Sequence, residues 1–210
     1  IMARLTRLNR LKTGTIYIQI TRGVARRDHS FPKHSLASVV MTVKHVSLDT
    51  GRQLSGKSAI TVPDQRWDRR DIKTIQLLPN CLAKQAASEK GAYEAIMVMP
   101  DGSVSEGSSS NIWILNHENQ LITRQPDEDI LNGITRQSIR RIAGERQMEI
   151  VERSFSVAEM MQAKEVFVTS ATSMVTALTH IDGKKIDEGK VGLIASALKA
   201  DYIKYVETYS

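Results

Sequence analysis

The sequence predicts an α+β fold built on a mixed sheet, and three observations lead to it. Short runs that alternate apolar and polar residues outnumber amphipathic helical runs, and the two kinds do not alternate strictly, which argues against a doubly wound parallel sheet. The 210 residues are 41% hydrophobic, which is enough for a substantial core. Residues 48–53 are polar around a glycine, as linkers often are. We therefore expect a small unit over residues 1–47 and a larger one over residues 54–210.

The small unit is expected to contain one helix and two strands. Apolar residues within Ile1–Leu11 fall on one helical face, and Gly14 is interpreted as the signal that ends the helix. Thr15–Thr21 alternates isoleucines with polar residues, which predicts a strand with one face on a core. Arg22–Pro32 is expected to be a loop rich in arginine, and Ser38–Val46 the second strand.

The large unit is expected to contain several short strands and four helices. The strands are predicted at Ala59–Val62, Ala95–Val98, around Val104, around Ile112 and Ile114, Leu121–Thr123, Glu165–Val168 and Ser173–Ile181. The helices are predicted at Asn80–Lys90, from Thr135 to Ile142, after the capping box at Ser156, and at Leu193–Val206. The inward face of the first of these helices is predicted to be Leu82, Ala83, Ala86 and Ala87.

Composition and charge narrow the classes of function. The net charge of +6 lies in clusters without interleaved aromatic residues, so nucleic acid is not an expected partner. The single cysteine, Cys81, excludes an intramolecular disulfide and a multi-cysteine metal site, and it fits a reducing cytoplasm. No apolar run approaches the ~20 residues that span a membrane. We expect a cytoplasmic protein with no metal and no membrane contact.

The stretch Asp101–Leu115 combines a single carboxylate, Glu106, with a polar run of serines that ends at Asn111. Apolar positions on both sides predict two short strands. The polar residues between them are therefore either a solvated hairpin turn or the polar lining of a cavity.

Two further segments carry the groups that bind phosphate in other proteins. Gly133-Ile134-Thr135 is expected to open a helix, where free N–H groups and the helix dipole favour an anion. The segment from Thr169 to Thr172 offers hydroxyls at a strand end. Neither segment is a Walker loop or a dinucleotide fingerprint. Together with Lys73 at an apolar boundary and Glu106, the set suits pyridoxal phosphate, whose aldehyde bonds a lysine and whose pyridine nitrogen a carboxylate keeps protonated.

At these positions the chain resembles a known family. The segments DIKTIQLLPNCLAKQAA, DGSVSEGSSSN, LNGITR and VFVTSATS resemble the fold-type IV pyridoxal-phosphate enzymes, and TRGVARRDHSFP resembles the D-amino-acid aminotransferases among them. The resemblance runs in order over nearly the whole chain. It implies a small N-terminal α/β domain, of which residues 1–47 are the remainder, and a larger mixed α/β pseudo-barrel that binds the cofactor.

The resemblance also implies roles for individual residues. Lys73 would form the Schiff base and move the substrate proton, Glu106 would pair with the pyridine nitrogen, and Arg27 and His29 would grip the substrate carboxylate. The other cofactor contacts that it implies are Ser109, Ser110, Asn111, Leu131, Gly133, Ile134, Thr135, Ser170 and Ala171. Family members often have threonine where this chain has Ala171, so that hydroxyl contact is lost unless Thr172 replaces it.

The activity implied is a ping-pong transamination by a homodimer, from a D-amino acid such as D-alanine to a 2-oxo acid. A branched-chain L-amino-acid aminotransferase, an aminodeoxychorismate lyase of the same fold and a non-catalytic member are the alternatives. Members of the family begin with a further stretch that brings a phosphate-binding arginine. We therefore expect residues 1–210 alone to transaminate poorly.

Overall fold

The computed structural model describes residues 1–46 and 54–208. The chain divides into two compact units, Ile1–Asp49 and Thr50–Ser210. The linker expected over residues 48–53 lies outside the described residues. Within the described ranges, no helix combines the length and the apolar character needed to cross a membrane.

The first unit contains one helix and a two-stranded antiparallel sheet. Its elements are α1 (Met2–Leu8), β1 (Gly14–Thr21) and β2 (Ser38–His45). The helix ends at the C-cap Asn9, so the prediction that Gly14 ends it is wrong, because Gly14 already pairs with His45 in the sheet. The expected core face of β1 is also wrong for this unit, since Ile18 and Ile20 are 43% and 69% exposed.

Over its described residues, 54–208, the second unit consists of a nine-stranded mixed sheet and four helices. Its strands are β3 (Lys57–Pro63), β4 (Glu94–Val98), β5 (Val104–Gly107), β6 (Asn111–Leu115), β7 (Leu121–Thr123), β8 (Ile150–Glu152), β9 (Glu165–Ser170), β10 (Met174–Ile181) and β11 (Lys184–Lys185). Its helices are α2 (Leu78–Glu89), α3 (Ile134–Glu145), α4 (Val157–Met161) and α5 (Leu193–Thr208). The strand order is β5-β4-β3-β10-β9-β6-β7-β8, with β11 beside β10. The pairs β3–β4, β3–β10 and β7–β8 are parallel and the others antiparallel, so the predicted α+β fold is confirmed.

Both faces of the sheet are buried, and β6 shows how one strand serves two cores. Ile112 and Ile114 point into a cluster with Val166 and Met160 of α4. Trp113 points to the opposite face, where α3 and α5 pack, and its ring stacks on Phe167 at 5.9 Å between centroids. Alternation with a period of two therefore places successive side chains in separate cores.

The mixed sheet forms a half-barrel, and a tight turn joins its edge strand β5 to β6. In this turn the Gly107 N–H donates to the Ser110 carbonyl over 2.7 Å. An added Cβ at Gly107 would lie 2.2 Å from the Ser110 hydroxyl, so any larger residue would displace that side chain. Residues of this turn line the cavity described below.

Helix α2 covers β3 and β4 with a narrower face than expected. Ala83 and Ala87 are buried in a cluster with Ile60 and Met97. Leu82 is 54% exposed, so its predicted inward orientation is wrong. The N-cap half of the capping box predicted before α4 is present, because the Ser156 hydroxyl accepts a hydrogen bond from the Glu159 N–H. The Glu159 carboxylate pairs with Arg153.

Candidate active site

One cavity of about 670 Å³ in the second unit brings together most of the predicted site residues. Its walls come from the segment after β3, the start of α2, the β5–β6 stretch, the start of α3 and the end of β9. The predicted site residues on its lining are Lys73, Glu106, Ser109, Ser110, Asn111, Leu131, Gly133, Ile134, Thr135, Ser170 and Ala171. Residues separated by almost one hundred positions in sequence therefore face the same space.

Two lysines line this cavity, and their surroundings differ. The Lys84 amine donates to the Tyr93 carbonyl, lies 3.8 Å from a Glu94 carboxylate oxygen and sits over the Tyr93 ring. The Lys73 side chain is exposed, and it has no hydrogen-bond or ion-pair partner within the part of the chain that the structure describes. Lys73 is thus the lysine whose amine is available to react.

Glu106 is buried and held by donors from three elements. The Leu131 N–H lies 3.2 and 3.3 Å from its two oxygens, and the Asn111 amide donates over 3.1 Å. Arg66, in the segment after β3, forms a short ion pair with the same carboxylate. Glu106 lies in β5, and these donors fix its side chain beside the cavity.

The electrostatics around Glu106 result from competition between burial and charge. Burial raises the pKa of the Glu106 carboxyl to about 7, although Arg66 and the Leu131 N–H act in the opposite direction. Burial alone would also raise the pKa of Asp64, but hydrogen bonds from Arg66 and Ser105 and the charge of Arg66 lower it to about 2. Asp64 is therefore the permanently charged carboxylate of this group.

The serine stretch is not the solvated turn that remained open from sequence. Ser108 and Ser110 are buried, while Ser109 is exposed. The Ser108 and Ser110 hydroxyls both donate to Glu94 of β4. Both hydroxyls therefore satisfy a buried carboxylate, and the contact of Ser110 with the cofactor stays a prediction.

The start of α3 has the features of an anion site. Gly133 is the N-cap, and an added Cβ there would lie 2.5 Å from the Asn111 amide oxygen. The Thr135 side chain is buried, and its hydroxyl has no hydrogen-bond partner among the described residues. The helix dipole, the free N–H groups and this hydroxyl all favour a phosphate.

The second phosphate segment lies at the end of β9. The Ser170 hydroxyl is 2.7 Å from the Ser173 hydroxyl and accepts a hydrogen bond from the Ser173 N–H. Ala171 and Thr172 are exposed on the cavity lining. The Thr172 hydroxyl, 3.5 Å from that of Ser170, is thus next to the position where the family often has threonine.

Arg27 and His29 belong to the first unit. Both are exposed in the irregular segment between β1 and β2, where the His29 N–H donates to the Asp28 carboxylate over 2.6 Å. Their role in gripping the substrate carboxylate stays a prediction.

Sequence reasoning missed Arg66, Asp64 and Glu94. Asp64 and Arg66 belong to the charged run DQRWDRRD, which reads as a solvated loop although both side chains are at most 8% exposed. Glu94 begins an otherwise apolar strand, and no local pattern shows that two serines satisfy it. The one available signal was the density of charge immediately before Lys73.

Comparison with known proteins places this fold and cavity in a class of enzymes. The family model described as "Amino-transferase class IV" matches residues 1–181. The chain therefore belongs to the class IV aminotransferase family, and it is an aminotransferase.

Relatives and solved structures agree with this assignment. The chain is 39% identical to the D-alanine aminotransferase of Staphylococcus aureus (strain N315), an alignment that covers 99% of this chain and 73% of the relative. It is 37% identical to that of Bacillus licheniformis, over 91% of this chain and 67% of the relative. The T.th. branched-chain amino acid aminotransferase, solved with pyridoxamine 5'-phosphate, is 25% identical, with a TM-score of 0.84 over 96% of this chain and 68% of that one.

Class IV aminotransferases use pyridoxal phosphate, and the residues of the cavity fit this cofactor. The unpartnered Thr135 hydroxyl and the glycine N-cap of α3 provide a phosphate site. A lysine with a free amine and a buried carboxylate are the two groups that the aldehyde and the pyridine nitrogen need. The predicted cofactor is therefore confirmed at the level of the family.

Proposed function

We propose that this protein moves the amino group of a D-amino acid, such as D-alanine, to a 2-oxo acid, such as 2-oxoglutarate, in a ping-pong cycle. The observation that supports it is the 37–39% identity to D-alanine aminotransferases. Solved branched-chain aminotransferases and a putative 4-amino-4-deoxychorismate lyase from Legionella pneumophila share 20–26%. We further expect the enzyme to be cytoplasmic.

We assign the chemical steps to side chains on the cavity wall. When bound, pyridoxal phosphate supplies an electron-accepting ring conjugated to the amino group of the substrate. The Lys73 amine would hold the cofactor until the amino group of the substrate displaces it. Once free, it would take the proton from the substrate Cα as base and deliver it as acid to the former aldehyde carbon of the cofactor. Glu106 holds a proton on the pyridine nitrogen.

Other residues would hold and orient the cofactor. The N–H groups of Ile134 and Thr135, together with Ser170 and Ala171, would bind its phosphate, and Leu131 would lie against its ring. Asn111 donates both to Glu106 and to the Leu131 carbonyl, over 3.1 and 2.8 Å. It therefore holds the Glu106 carboxylate and the backbone of Leu131 in fixed positions relative to each other.

We also propose that the enzyme is a homodimer with a second copy of this chain. Large apolar side chains remain exposed along the segment before α2 and on its first turns, which is unusual for a surface without a partner. They are Trp67, Ile72, Ile75, Leu77, Leu78 and Leu82. Sedimentation of wild type and Leu82→Glu tests this, and a wild-type monomer at micromolar concentration would contradict it.

Initial rates of amino transfer to 2-oxoglutarate from D-alanine, D-glutamate and L-leucine test the substrate class. We expect D-alanine to be the fastest donor. Faster turnover of L-leucine would assign the protein to the branched-chain group instead.

Arg27 and its neighbour Arg26 offer a matched pair of variants, because both are exposed in the same segment. Loss of a charge-assisted hydrogen bond costs about 1.5–3 kcal/mol, so Arg27→Gln should raise the KM for D-alanine roughly 10- to 100-fold. Arg26→Gln should leave it nearly unchanged. Equal changes of KM in the two variants would show that Arg27 does not bind the substrate carboxylate.

A further inference from the structure

Arg66 joins two carboxylates of different kinds. Its Nε and one terminal nitrogen form a bidentate pair with Asp64 at 3.0 and 2.7 Å. Its other terminal nitrogen donates to Glu106. The Arg66 side chain is 8% exposed, and the terminal nitrogen that pairs with Asp64 also lies 3.4 Å from the Ser105 hydroxyl.

Asp64 anchors this arginine. Its side chain is fully buried and accepts a hydrogen bond from the Ser105 hydroxyl at 2.7 Å and from the Arg66 N–H at 3.1 Å. The guanidinium of Arg70 lies 3.2 Å away. Because Asp64 is fixed from several directions, the planar fork of Arg66 has little freedom to leave Glu106.

The Glu106 carboxylate can accept one more hydrogen bond. A carboxylate offers about four acceptor positions, and Arg66, Asn111 and the Leu131 N–H occupy three of them. Glu106 also lines the cavity. A remaining acceptor position is therefore available to a protonated ring nitrogen.

The charge of Glu106 decides what its remaining oxygen position can do. An ionised carboxylate accepts a hydrogen bond from a ring N–H, whereas a neutral acid donates its own proton. A buried carboxyl without a cation nearby favours its neutral form, and the negative charge of Asp64 adds to this tendency. A neutral Glu106 acid would not hold a proton on a ring nitrogen. Arg66 is the cation in contact with Glu106, so it opposes both effects.

We infer that Arg66 is a positioning residue that favours the ionised form of Glu106 and keeps its carboxylate aimed at the pyridine nitrogen of the cofactor. The inference rests on the proposed role of Glu106 and adds the residue on which that role depends. Arg66 itself does not need to touch the cofactor or the substrate.

The pyridine nitrogen reports directly on this role. Wild type, Arg66→Gln and Arg66→Lys would be loaded with pyridoxal phosphate labelled with ¹⁵N in the ring, and the ¹⁵N chemical shift followed against pH. Because a contacting opposite charge changes a carboxyl pKa by about 1–3, Arg66→Gln should lose the ring proton at a pH lower by ~1 or more. Arg66→Lys keeps the positive charge but not the planar guanidinium. Its ring nitrogen should therefore lose the proton at a pH between the values for wild type and Arg66→Gln.

Arg69→Gln is the matched control. It removes an arginine three residues away whose exposed side chain pairs with Asp71, and it should titrate like wild type. A ring nitrogen that stays protonated in folded Arg66→Gln as in wild type would overturn the inference.

A second measurement separates this inference from the proposed function. In the cofactor-free protein with ¹³C-labelled glutamate carboxyls, Glu106, assigned by its loss in Glu106→Gln, should titrate at higher pH in Arg66→Lys than in wild type. This comparison needs only Arg66→Lys, so it can be made even if Arg66→Gln does not fold. A Glu106 carboxyl that titrates in Arg66→Lys as in wild type would contradict the inference. If pyridoxal phosphate fails to attach to Lys73 in wild type, the proposed function is wrong while the carboxyl titration still tests Arg66.

Discussion

Glu94 and Glu106 are buried carboxylates of neighbouring strands, and their partners give them different properties. Glu94 accepts hydrogen bonds from two serine hydroxyls and two backbone N–H groups, which is a fixed and mostly neutral environment. Glu106 has the charged Arg66 and the cavity beside it. Only the carboxylate that borders the cavity can exchange a proton with a ligand.

The pH dependence of stability should report on Glu106 in the cofactor-free protein. Because burial raises its pKa from 4.5 to about 7, the folded state binds this proton more tightly than the unfolded state. The resulting stabilisation is complete below pH 4.5 and is lost as the pH rises through 7. The free energy of unfolding from urea titrations should therefore fall over this range more steeply in wild type than in Glu106→Gln. Parallel curves for the two proteins would contradict the assignment.

Lys73 and Lys84 provide a direct test of which amine carries the cofactor. The Lys84 amine is engaged by Tyr93 and Glu94, so pyridoxal phosphate should attach to Lys73. Borohydride reduction and peptide mapping should find the label there, and Lys73→Ala should abolish it. Lys84→Ala is the control that should keep the label, and a label on Lys84 would reject the assignment.

At the scale of elements, the sequence predicted the helices and strands that have a clear apolar periodicity or a helix-capping residue. The helices α2 to α5 and most strands of the large unit were found because apolar spacing and capping signals mark them. The strands β8 and β11, of three and two residues, were missed, although β7, also of three residues, was predicted. Leu82 has the spacing of a core residue and is nevertheless exposed, because periodicity does not show where a neighbouring element ends.

The site was predictable where one segment carries a recognisable set of groups, as at Glu106 and at Gly133–Thr135. It was not predictable where a contact joins distant segments. Arg66 meets Glu106 forty positions away, and nothing in the run DQRWDRRD shows which of its arginines turns inward. Such pairs are set by the curvature of the sheet, which only the complete fold determines.

Helix α5 is fixed to the sheet at its first turn by Glu165 of β9. The two oxygens of this carboxylate accept hydrogen bonds from the N–H groups of Ile194 and Ala195 at 3.0 and 2.9 Å. Since a side-chain cap and a favourable dipole contact contribute about 0.5–2 kcal/mol, Glu165→Ala should lower the free energy of unfolding by ~1–2 kcal/mol. Glu118→Ala, at an exposed turn, should leave it nearly unchanged. Equal losses in urea titrations would show that the cap contributes little.

At the scale of the whole molecule, the two units differ in how much they bury. The second unit contains three clusters of buried apolar residues. In the first unit none of the residues from 1 to 46 is buried, and its sheet has two strands. A two-stranded sheet without a covered face is marginally stable in water.

Native-state hydrogen exchange of the intact protein should therefore separate the two units. Hydrogen-bonded amides of β1 and β2, around the opposite pair Ile18 and Met41, should exchange through local opening at little free-energy cost. Hydrogen-bonded amides of β9 and β10, around the opposite pair Phe167 and Ala177, should exchange only with global unfolding, because both faces of these strands are buried. The protection factors should differ by a factor of roughly 100 or more, since opening free energies range from about zero to the full free energy of unfolding. Equal protection in both pairs would show that the first unit unfolds only together with the second, and that contacts beyond its own two strands stabilise it.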